Sequence, residues 1–539
     1  MNCTVLERLV CLVIEGELFV EDKKMAFRNA TSSLISQLVK VWFQFILRKL
    51  FIQYIGVELL GINQTLASII AAAVLVEGGI QCAVIYHLYG KLADNDEKGI
   101  NDVLNVYRFL YTCVGVVVLV IGSVSACFID RIITGIEVTG IIYLYYFLIV
   151  VNTAVSYFLA YKRALFTADR CDYVCKYYDT ICDVIFSVLK IATIVWYRNF
   201  LLYLLLAILQ TIVSNIVINI VCEKKYPFIK REKHKKELIN EMSTDIKHLF
   251  GGSVAAYIFN SVDNIIISRF VSTIAVGLFS NYTMVTTTLK MLILQVCSFW
   301  GPIMGNHFSS KPDNKEIKKE YLQVYSFANY FLACMIIVPE FLLLQDFVSI
   351  FLGKERLLPN LLIIIVLIEQ YITLVQDPCG VFIVADGQFR LSKIADGTAA
   401  ILNLVASLVF VQFWGIYGVI LGTIISRIVQ WIIKSTVAFR VTIDEGGWII
   451  VKYWINNCCK ASVLFIITII AYEIALLMSF ESFIMKFFCL GIMGVMVAFV
   501  GIVLIFWFTD DGRLVLRIMR NGINTVSYTH LRAHETGRN

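Results

Sequence analysis

The sequence predicts an all-α integral membrane protein with about 14 transmembrane helices, arranged as two pseudo-symmetric six-helix bundles plus two C-terminal helices. Three observations predict this class: long apolar segments, polar links whose basic charge alternates along the chain, and a faint internal repeat. Hydrophobic residues make up 59% of the 539 residues and charged residues 16%, and the mean hydropathy is +0.78. Such a composition excludes a water-soluble domain of this size.

The apolar segments decide the architecture. Each holds about 20 residues or more, which is enough to cross about 30 Å of hydrocarbon as a helix. The first twelve supply the two predicted bundles, and the last two form a C-terminal pair. In chain order the segments run over residues 33–55, 63–89, 103–129, 138–160, 175–196, 199–221, 249–271, 274–305, 322–345, 360–384, 389–413, 416–440, 459–479 and 483–508.

The polar links alternate in basic charge. Alternate links carry about 30 Lys and Arg residues on one side and about 5 on the other, so the positive-inside rule predicts that both termini are cytoplasmic. The most basic link, residues 223–247, lies on the predicted inner side. The net charge of +6 is therefore explained by topology and by attraction to anionic membrane lipids, which argues against a nucleic-acid partner.

An internal repeat divides the chain. The link Val57–Asn63 resembles the link Thr273–Leu278, and the segment Gly415–Gly422 is similar to both. A displacement by an even number of spans predicts a parallel repeat about an axis along the membrane normal, with a substrate pathway between two halves. The predicted division has six parts. An N-terminal extension at 1–24, ahead of a more natural start at Met25, is followed by a six-helix bundle at 25–222 and a basic cytoplasmic linker at 223–248. A second six-helix bundle at 249–440 is followed by two additional helices at 441–525 and by a segment at 526–539 that resembles a translated sequencing adapter.

A polar stripe runs along the first span. Ser33, Gln37, Lys40, Gln44 and Arg48 recur at steps of three or four residues and so share one helix face. A charge near the bilayer centre costs about 2.5 to 3.5 kcal/mol on insertion scales, so charges at such depth need a reason. We expect the stripe to line an aqueous cavity. The alternative is snorkelling at the interface combined with helix packing.

Carboxylates inside other spans are candidates for ion coupling. Asp179, Asp183 and Lys190 lie on one face of the fifth span, where a carboxylate could exchange a proton or a sodium ion. The alternative is an ion pair that only orients the helices. Each candidate could also be a satisfied interhelical hydrogen bond, worth about 0.6 kcal/mol in bilayers. Further candidates of the same kind are Asp263, Glu369 and Asp377.

The sequence carries no signature of a soluble enzyme. A Walker A sequence, a G-x-S-x-G motif and an H-E-x-x-H motif are all absent. The 15 cysteines have no regular ligand spacing, and the histidines are scattered rather than clustered. We therefore expect a transporter or flippase without catalytic residues, bound metal or cofactor.

Several stretches of the chain carry a family resemblance. They are Tyr54–Asn63, Leu75–Asp96, Tyr161–Asp169, Asn260–Tyr282 and Phe413–Arg427. Together they resemble the polysaccharide transporters, or O-antigen-type oligosaccharide flippases, of the multidrug/oligosaccharidyl-lipid/polysaccharide exporter superfamily. The resemblance covers about residues 26–515 and implies a MATE-like fold in the bacterial cytoplasmic (inner) membrane.

The resemblance also implies a substrate and binding residues. Members of the family are thought to move a polyprenyl-pyrophosphate-linked oligosaccharide, as in lipopolysaccharide synthesis, to the outer face by alternating access. An arginine fork bonds phosphate oxygens at two points, which suits a pyrophosphate. The candidates for a cationic pyrophosphate site are Lys40, Arg48, Lys290 and Arg427. The candidates for hydrogen bonds to sugars are Gln37, Gln44, Thr286 and Thr287.

Two other functions are open. A cation-coupled multidrug exporter of the same superfamily would share the fold, but its cationic substrates prefer acidic, aromatic cavities. An oligosaccharide polymerase is also polytopic, but it usually has a sizeable outer loop, and the predicted outer links here are short. For a flippase, the driving force would be sodium ions, protons or downstream consumption of the product.

Overall fold

The computed structural model describes residues 20–243, 255, 257–310, 314–480 and 482–506, and it contains no strand among them. The predicted all-α class is confirmed. The extension predicted at 1–24 is described only from Val20 onward, and the segment at 526–539 lies outside the described residues. In chain order the main helices are α1 (Val20–Tyr54), α2 (Val57–Val74), α3 (Ile80–Ala93), α4 (Glu97–Ser125), α5 (Gly140–Leu159), α6 (Arg163–Ala168), α7 (Asp172–Ala192), α8 (Phe200–Lys225), α9 (Asp263–Phe270), α10 (Thr273–Cys297), α11 (Trp300–Ser310), α12 (Lys315–Leu352), α13 (Asn360–Ala385), α14 (Phe389–Trp414), α15 (Ile416–Val437), α16 (Gly447–Leu476) and α17 (Phe483–Phe506).

The described residues contain 12 helical segments that are long and apolar enough to cross a membrane, against the 14 segments predicted. Helix α1 falls short of that standard because its apolar part also holds Lys40, Arg48 and Lys49. The predicted seventh span is described only in part, and its helix α9 has 8 residues. The chain is a multi-pass membrane protein. Its first helix is less apolar than the other spans because it carries the polar stripe.

The ends of the helices define two faces of the molecule. At one face Asn29 Nδ2 donates to the backbone oxygen of Arg170 over 2.8 Å, which places the start of α1 beside the turn before α7. At the other face the Arg198 guanidinium lies 5.3 Å from the centre of the Tyr54 ring, which joins the end of α1 to the turn before α8. The first is called the linker face below, because the link after α8 starts there, and the second is called the opposite face.

Buried apolar side chains form two clusters. One is drawn mainly from α1 to α8 and the other mainly from α9 to α17. In the first group α1 packs against α7, and α5 packs against both α4 and α8. In the second group α12 packs against α13 and α17, and α14 packs against α15. Helices α1–α8 are called the N-terminal half below, and helices α9–α17 the C-terminal half.

The basic link is fixed to the start of α4. Asn101 Oδ1 accepts a hydrogen bond from the backbone N–H of Lys230 (2.9 Å), and Asn105 Oδ1 accepts one from the backbone N–H of Glu232 (3.1 Å). Asn105 Nδ2 in turn donates to the backbone oxygen of Lys230 (3.0 Å). These bonds satisfy backbone groups of a non-helical segment, so this part of the link is held to the N-terminal half.

The two halves meet near the opposite face. The start of α2 packs against the start of α10, where Gly61 and Gly277 leave no side chain between the two backbones. Beside this crossing the backbone oxygen of Thr134 accepts a hydrogen bond from the backbone N–H of Thr273 (3.0 Å). Thr134 Oγ1 also donates to the backbone oxygen of Ser268 (2.5 Å). Main-chain atoms of the two halves are therefore in direct contact at this face.

Candidate functional site

A polar cavity of about 380 Å³ lies in the N-terminal half, where α1, α2, α7 and α8 face one another. Helix α1 lines it with Lys40, Gln44 and Arg48, which stand on successive turns of one helix face. Gln37, one turn before Lys40, is half-buried and lies outside the lining. The polar stripe of the first span therefore faces this cavity over its last three residues.

The cavity carries more positive than negative charge. Its charged lining consists of Lys40, Arg48 and Lys190 against the single carboxylate of Asp183. Side-chain amides from three helices supply both hydrogen-bond donors and acceptors around these charges. They belong to Gln44, Asn63, Gln64 and Gln210.

A chain of polar contacts connects the two lysines of the cavity. Lys40 Nζ lies 3.2 Å from Asp183 Oδ2, and Asp183 Oδ1 accepts a hydrogen bond from Gln210 Nε2 (2.6 Å). Gln210 Oε1 accepts one from Lys190 Nζ (2.6 Å). The carboxylate thus holds one lysine directly and the other through an amide. The sequence analysis misses Gln210, whose one signal is that it is a polar residue in the middle of an apolar span.

Asp179 belongs to a separate network. Its carboxylate accepts two hydrogen bonds from the Arg163 guanidinium (2.7 and 2.9 Å) and one from Ser214 Oγ (2.6 Å). Arg163 Nε also donates to Asn215 Oδ1 (2.8 Å), so the network ties α6 to α7 and α8. The three ion-coupling candidates predicted on one face of the fifth span, Asp179, Asp183 and Lys190, are thus divided between two networks. Arg163 is a further residue that the sequence analysis misses, although it lies in the family stretch Tyr161–Asp169.

Arg48 links the cavity to the C-terminal half. Its NH1 group donates to Ser280 Oγ of α10 over 3.1 Å. Ser280 Oγ in turn donates to the backbone oxygen of Gly277 (2.8 Å), at the crossing of the two halves. A ligand that draws the Arg48 guanidinium into the cavity therefore competes with a contact between the halves.

Lys290 and Arg427 lie in a second cluster, within the C-terminal half. Both face Glu369: Lys290 Nζ is 3.9 Å from its Oε2 atom, and Arg427 Nε is 3.9 Å from its Oε1 atom. The Arg427 guanidinium also stacks on the Phe259 ring, with 3.9 Å to the ring centre. The four cations expected at one pyrophosphate site are thus divided between a cavity of the N-terminal half and a carboxylate of the C-terminal half.

The remaining predicted residues make local contacts. Thr286 is buried, and its hydroxyl donates to the backbone oxygen of Thr283 on the same helix (3.3 Å). Thr287 is half-buried. Asp377 Oδ2 accepts a hydrogen bond from the Tyr325 hydroxyl (2.6 Å). Their roles in sugar binding and in ion coupling stay predictions.

Polar side chains from α9, α14 and α15 meet inside the C-terminal half. Thr423 Oγ1 donates to Asp263 Oδ2 (3.1 Å) and accepts a hydrogen bond from Asn403 Nδ2 (2.9 Å). Asp263 Oδ1 and Asn403 Oδ1 are buried without a hydrogen-bond partner among the described residues. Carboxylate, amide and hydroxyl oxygens are the ligands that a hard cation prefers, so the side-chain oxygens of Asp263, Asn403 and Thr423, called the oxygen set below, are a candidate ion site. The sequence predicts Asp263 as an ion-coupling candidate and does not predict the other two residues in that role.

The N-terminal half and its cavity fall within a known sequence family. Residues 26–308 match the family described as "Polysaccharide biosynthesis protein". This stretch, more than half of the chain, runs from α1 to α11 and includes the cavity, the Asp179 network and the crossing of the two halves. No curated protein sequence matches the chain.

Solved transporter structures share the fold. A lipid II flippase, MurJ, in an inward closed conformation is 13% identical over 89% of this chain and 98% of that chain, with a TM-score of 0.64. A multidrug resistance MATE family transporter of the MOP superfamily, in an inward-facing conformation, is 16% identical over 81% and 97% of the two chains, with a TM-score of 0.54. A MOP superfamily transporter from Pyrococcus furiosus, described by the reverse polarity of its binding pocket, is 14% identical over 83% and 100%, with a TM-score of 0.52. At these identities the matches show the fold alone.

Proposed function

The chain belongs to the polysaccharide biosynthesis protein family, and from that premise we propose that it flips a polyprenyl-pyrophosphate-linked oligosaccharide across the bacterial cytoplasmic membrane. Family and fold are those of transporters and flippases. The observation that carries the proposal is the cavity of the N-terminal half, in which three cations face one carboxylate. A cavity of that charge within an apolar bundle suits an anionic headgroup, because the headgroup compensates the cations for their lost hydration.

Arg48 is the residue best suited to the pyrophosphate. Its planar guanidinium stays charged at any working pH and donates two parallel hydrogen bonds to phosphate oxygens. Lys40 lies two turns away on the same helix face and adds a point charge. A phosphate that enters the cavity would compete with Asp183 for Lys40, and Asp183 would then keep only its hydrogen bond from Gln210.

The amides of the cavity suit the sugars next to the pyrophosphate. Gln44 on α1 and the α2 pair Asn63 and Gln64 each present a donor and an acceptor, as sugar hydroxyls require. A volume of about 380 Å³ is that of a small-ligand site, so we assign the cavity to the pyrophosphate and the first sugar. The same chemistry would serve an O-antigen unit or the precursor of another polysaccharide.

We place the linker face in the cytoplasm, since the basic link starts there and positive loops stay inside. Both termini are then cytoplasmic and the opposite face looks outward. The two bundles, residues 25–222 and 249–440, would rotate relative to each other about the crossing of α2 and α10. This motion would open the space between the bundles alternately to the cytoplasmic side and to the outer side of the membrane. The main-chain contacts at the opposite face correspond to the outwardly closed part of this cycle.

Ion coupling is assigned to the oxygen set of Asp263, Asn403 and Thr423. A sodium ion there would satisfy the two unpartnered oxygens and offset the charge of the Asp263 carboxylate. The three residues come from α9, α14 and α15, so the ion would hold these helices together and favour one arrangement of the C-terminal half. Glu369 and Asp377 remain further candidates.

The second candidate function is cation-coupled multidrug export, favoured by the fold shared with a multidrug resistance MATE family transporter. A drug of this class that carries positive charge would meet Lys40, Arg48 and Lys190 in the cavity. Like charges in a low-dielectric site repel, so the cavity disfavours such cargo. An oligosaccharide polymerase has no comparable support in the fold.

Replacement of Arg48 tests the proposed function. Arg48→Ala should reduce display of the surface glycan at least about tenfold in a complemented deletion strain, since a charge-assisted bond contributes about 1.5 to 3 kcal/mol. Arg48→Lys should recover part of the display, because a point charge replaces the two-point fork. Lipid-linked oligosaccharide should accumulate on the cytoplasmic leaflet.

Lys49→Ala is the matched control for this experiment. Lys49 is exposed, neighbours Arg48 on α1 and lies outside the cavity lining, so its loss should leave display unchanged. Immunoblots of the membrane fraction keep a loss of protein apart from a loss of transport. Normal display by Arg48→Ala at equal abundance would exclude Arg48 from the binding site and remove the main support for an anionic cargo.

A further inference from the structure

Glu340 is a carboxyl group buried in the C-terminal half, and no cation among the described residues forms an ion pair with it. It lies within α12 and is 5% exposed. Its Oε2 atom accepts a hydrogen bond from Gln370 Nε2 of α13 (2.9 Å), and its Oε1 atom has no hydrogen-bond partner among the described residues. A carboxylate held at membrane depth by one neutral amide is poorly compensated, so the site favours a bound proton.

The amide partner shows the same lack of donors. Gln370 is 1% exposed, and its side-chain oxygen is also buried without a partner within the described part of the chain. The pair thus holds unsatisfied acceptor oxygens on both members. A proton taken from water onto the Glu340 Oε1 atom supplies a donor where both members have unpartnered oxygens, while the Gln370 amide keeps its hydrogen bond to Oε2 (2.9 Å).

The helix at Glu340 lacks one main-chain hydrogen bond. Pro339 lies immediately before it inside α12, and it lacks the N–H that would bond the backbone oxygen of Met335. Gly494 of α17 packs against this point, since a Cβ there would lie 3.0 Å from the Pro339 Cα atom. The carboxyl group therefore stands at a break in the hydrogen bonding of a long helix, packed against a helix that offers no side chain there.

Lys290 is connected to this pair through α13, because it faces Glu369, the residue before Gln370. It lies on α10, and its Nζ atom is 3.9 Å from Glu369 Oε2. From α13 the buried hydroxyl of Tyr371 follows Gln370 in the chain. Further charged groups on the helices packed against α12 include Lys40 with Asp183, Arg48 with Ser280, Asp377 with Tyr325, Lys460 over the Tyr330 ring, Lys486 with Asp346, and the exposed Lys49, His307, Lys452 and Glu473.

We propose that Glu340 and Gln370 form a proton-binding site that sets how firmly Lys290 is held within the protein. When the carboxylate is ionised, Lys290 lies in the field of two acids. When Glu340 carries a proton, one of these charges is removed and Lys290 is freer to meet an anion. This inference rests on the proposed function and adds to it a contact between the anionic cargo and Lys290, which lies outside the cavity. It makes anion binding stronger in acid.

Infrared difference spectroscopy of the purified protein tests the proton site without any cargo. The carboxylic-acid C=O band that is present in wild type and lost in Glu340→Gln should decrease as the pH is raised from about 5 to about 9. Glu473→Gln, which removes an exposed carboxylate from neighbouring α16, should leave that band in place. A band that stays constant over this range, or never appears, would overturn the proposal.

Binding of farnesyl pyrophosphate to the same samples tests the link to Lys290. Wild type should bind this probe several-fold more tightly at the acid end of the range, and Glu340→Gln should keep the tighter binding at every pH. A titrating band with pH-independent binding would overturn the link to Lys290. A titrating band with no binding of any prenyl pyrophosphate would instead count against the proposed function. Equal thermal unfolding of the variants shows that the fold is intact.

Discussion

Gly61 of α2 and Gly277 of α10 face each other so closely that neither position has room for a side chain. A Cβ atom on Gly61 would lie 2.1 Å from the backbone oxygen of Thr273, and one on Gly277 would lie 2.4 Å from the backbone oxygen of Val57. Each glycine is the fifth residue of its copy of the internal repeat, counted from Val57 and from Thr273. The repeated segments are therefore the two sides of one contact, of the small-residue kind that lets membrane helices approach closely.

A side chain at this contact should hold the halves apart at the opposite face. Gly61→Val introduces atoms where the backbone of α10 already lies, so we expect the seam around Thr134 to open. In a background without exposed native cysteines, Thr134→Cys should react several-fold faster with an impermeant thiol reagent when Gly61→Val is present. Gly140→Val is the control, since a Cβ there has nothing within 4 Å. Equal reaction in both backgrounds would show that the contact does not close this face.

Sodium should stabilise the protein through the oxygen set. A ligand that binds only the folded state and is present at a concentration of about 100 times its Kd adds about 2.7 kcal/mol to the free energy of unfolding. The unfolding temperature of wild type should therefore rise with sodium chloride more than with choline chloride. Asp263→Asn and Thr423→Val should lose this difference, whereas Asp346→Asn, a carboxylate of α12 outside the set, should keep it. A sodium effect of full size in Asp263→Asn would assign the ion to another site.

The Arg163–Asp179 pair should be worth more to stability than a surface ion pair. Removal of one partner from a fully buried pair costs about 3 to 5 kcal/mol, because the other charge is left uncompensated, but the side chains of this half-buried pair are 27% and 18% exposed. Arg163→Ala should therefore lower the free energy of unfolding by about 2 kcal/mol, and the double replacement with Asp179→Leu should cost less than the sum of the single changes. Additive losses would mean that the two side chains act independently. Unchanged ion dependence of transport in Asp179→Asn would further assign Asp179 to structure rather than coupling.

Asp169 at the linker face should make stability depend on pH in acid. Burial opposes its charge, but hydrogen bonds from Lys225 Nζ (2.8 Å) and the Tyr226 hydroxyl hold its pKa below the usual value. Stability from a lowered pKa is complete above the unfolded value of about 3.9 and is lost as the pH falls through the folded value. Asp169→Asn should thus destabilise the protein by about 1 kcal/mol at pH near 7 and by progressively less below about pH 4.

The thermal unfolding of Asp169→Asn and wild type at both ends of this range checks the sign. Asp94→Asn, which replaces an exposed carboxylate near the same face, controls for the change in net charge. A difference between wild type and Asp169→Asn that grows toward acid would contradict the assignment.

Helical periodicity accounts for what the sequence predicts well. Lys40, Gln44 and Arg48 are four residues apart, and this spacing alone fixes that they share a helix face, wherever that face points. The structure gives the face its cavity. The same spacing groups Asp179 with Asp183, but their partners Arg163 and Gln210 stand on other helices, and no periodicity within one span encodes which neighbour a side chain meets.

Contacts between spans also explain why the predicted cationic site is divided. Lys290 and Arg427 are cations at membrane depth, which is all that their sequence context shows. Their grouping around Glu369 follows from the packing of α10, α13 and α15, which brings together residues more than fifty positions apart. The oxygen set is not predicted from the sequence for a similar reason. Asn403 and Thr423 have the sequence context of polar residues that pack helices together, and only the structure shows that they lie next to Asp263 and its unpartnered oxygen.

The hydrogen bond from Arg48 to Ser280 bears on how the membrane keeps its barrier. A transporter with a hydrated, charged interior could conduct small ions across the membrane and dissipate the ion gradients of the cell. In the proposed cycle the Arg48 guanidinium binds a phosphate of the cargo. When no phosphate is present, it donates instead to Ser280 Oγ over 3.1 Å and so connects the two halves. A neutral sugar that enters the cavity would leave this hydrogen bond intact. Opening between the two halves would therefore depend on the charge of the cargo, and the protein would stay closed to small ions when no anionic cargo is bound.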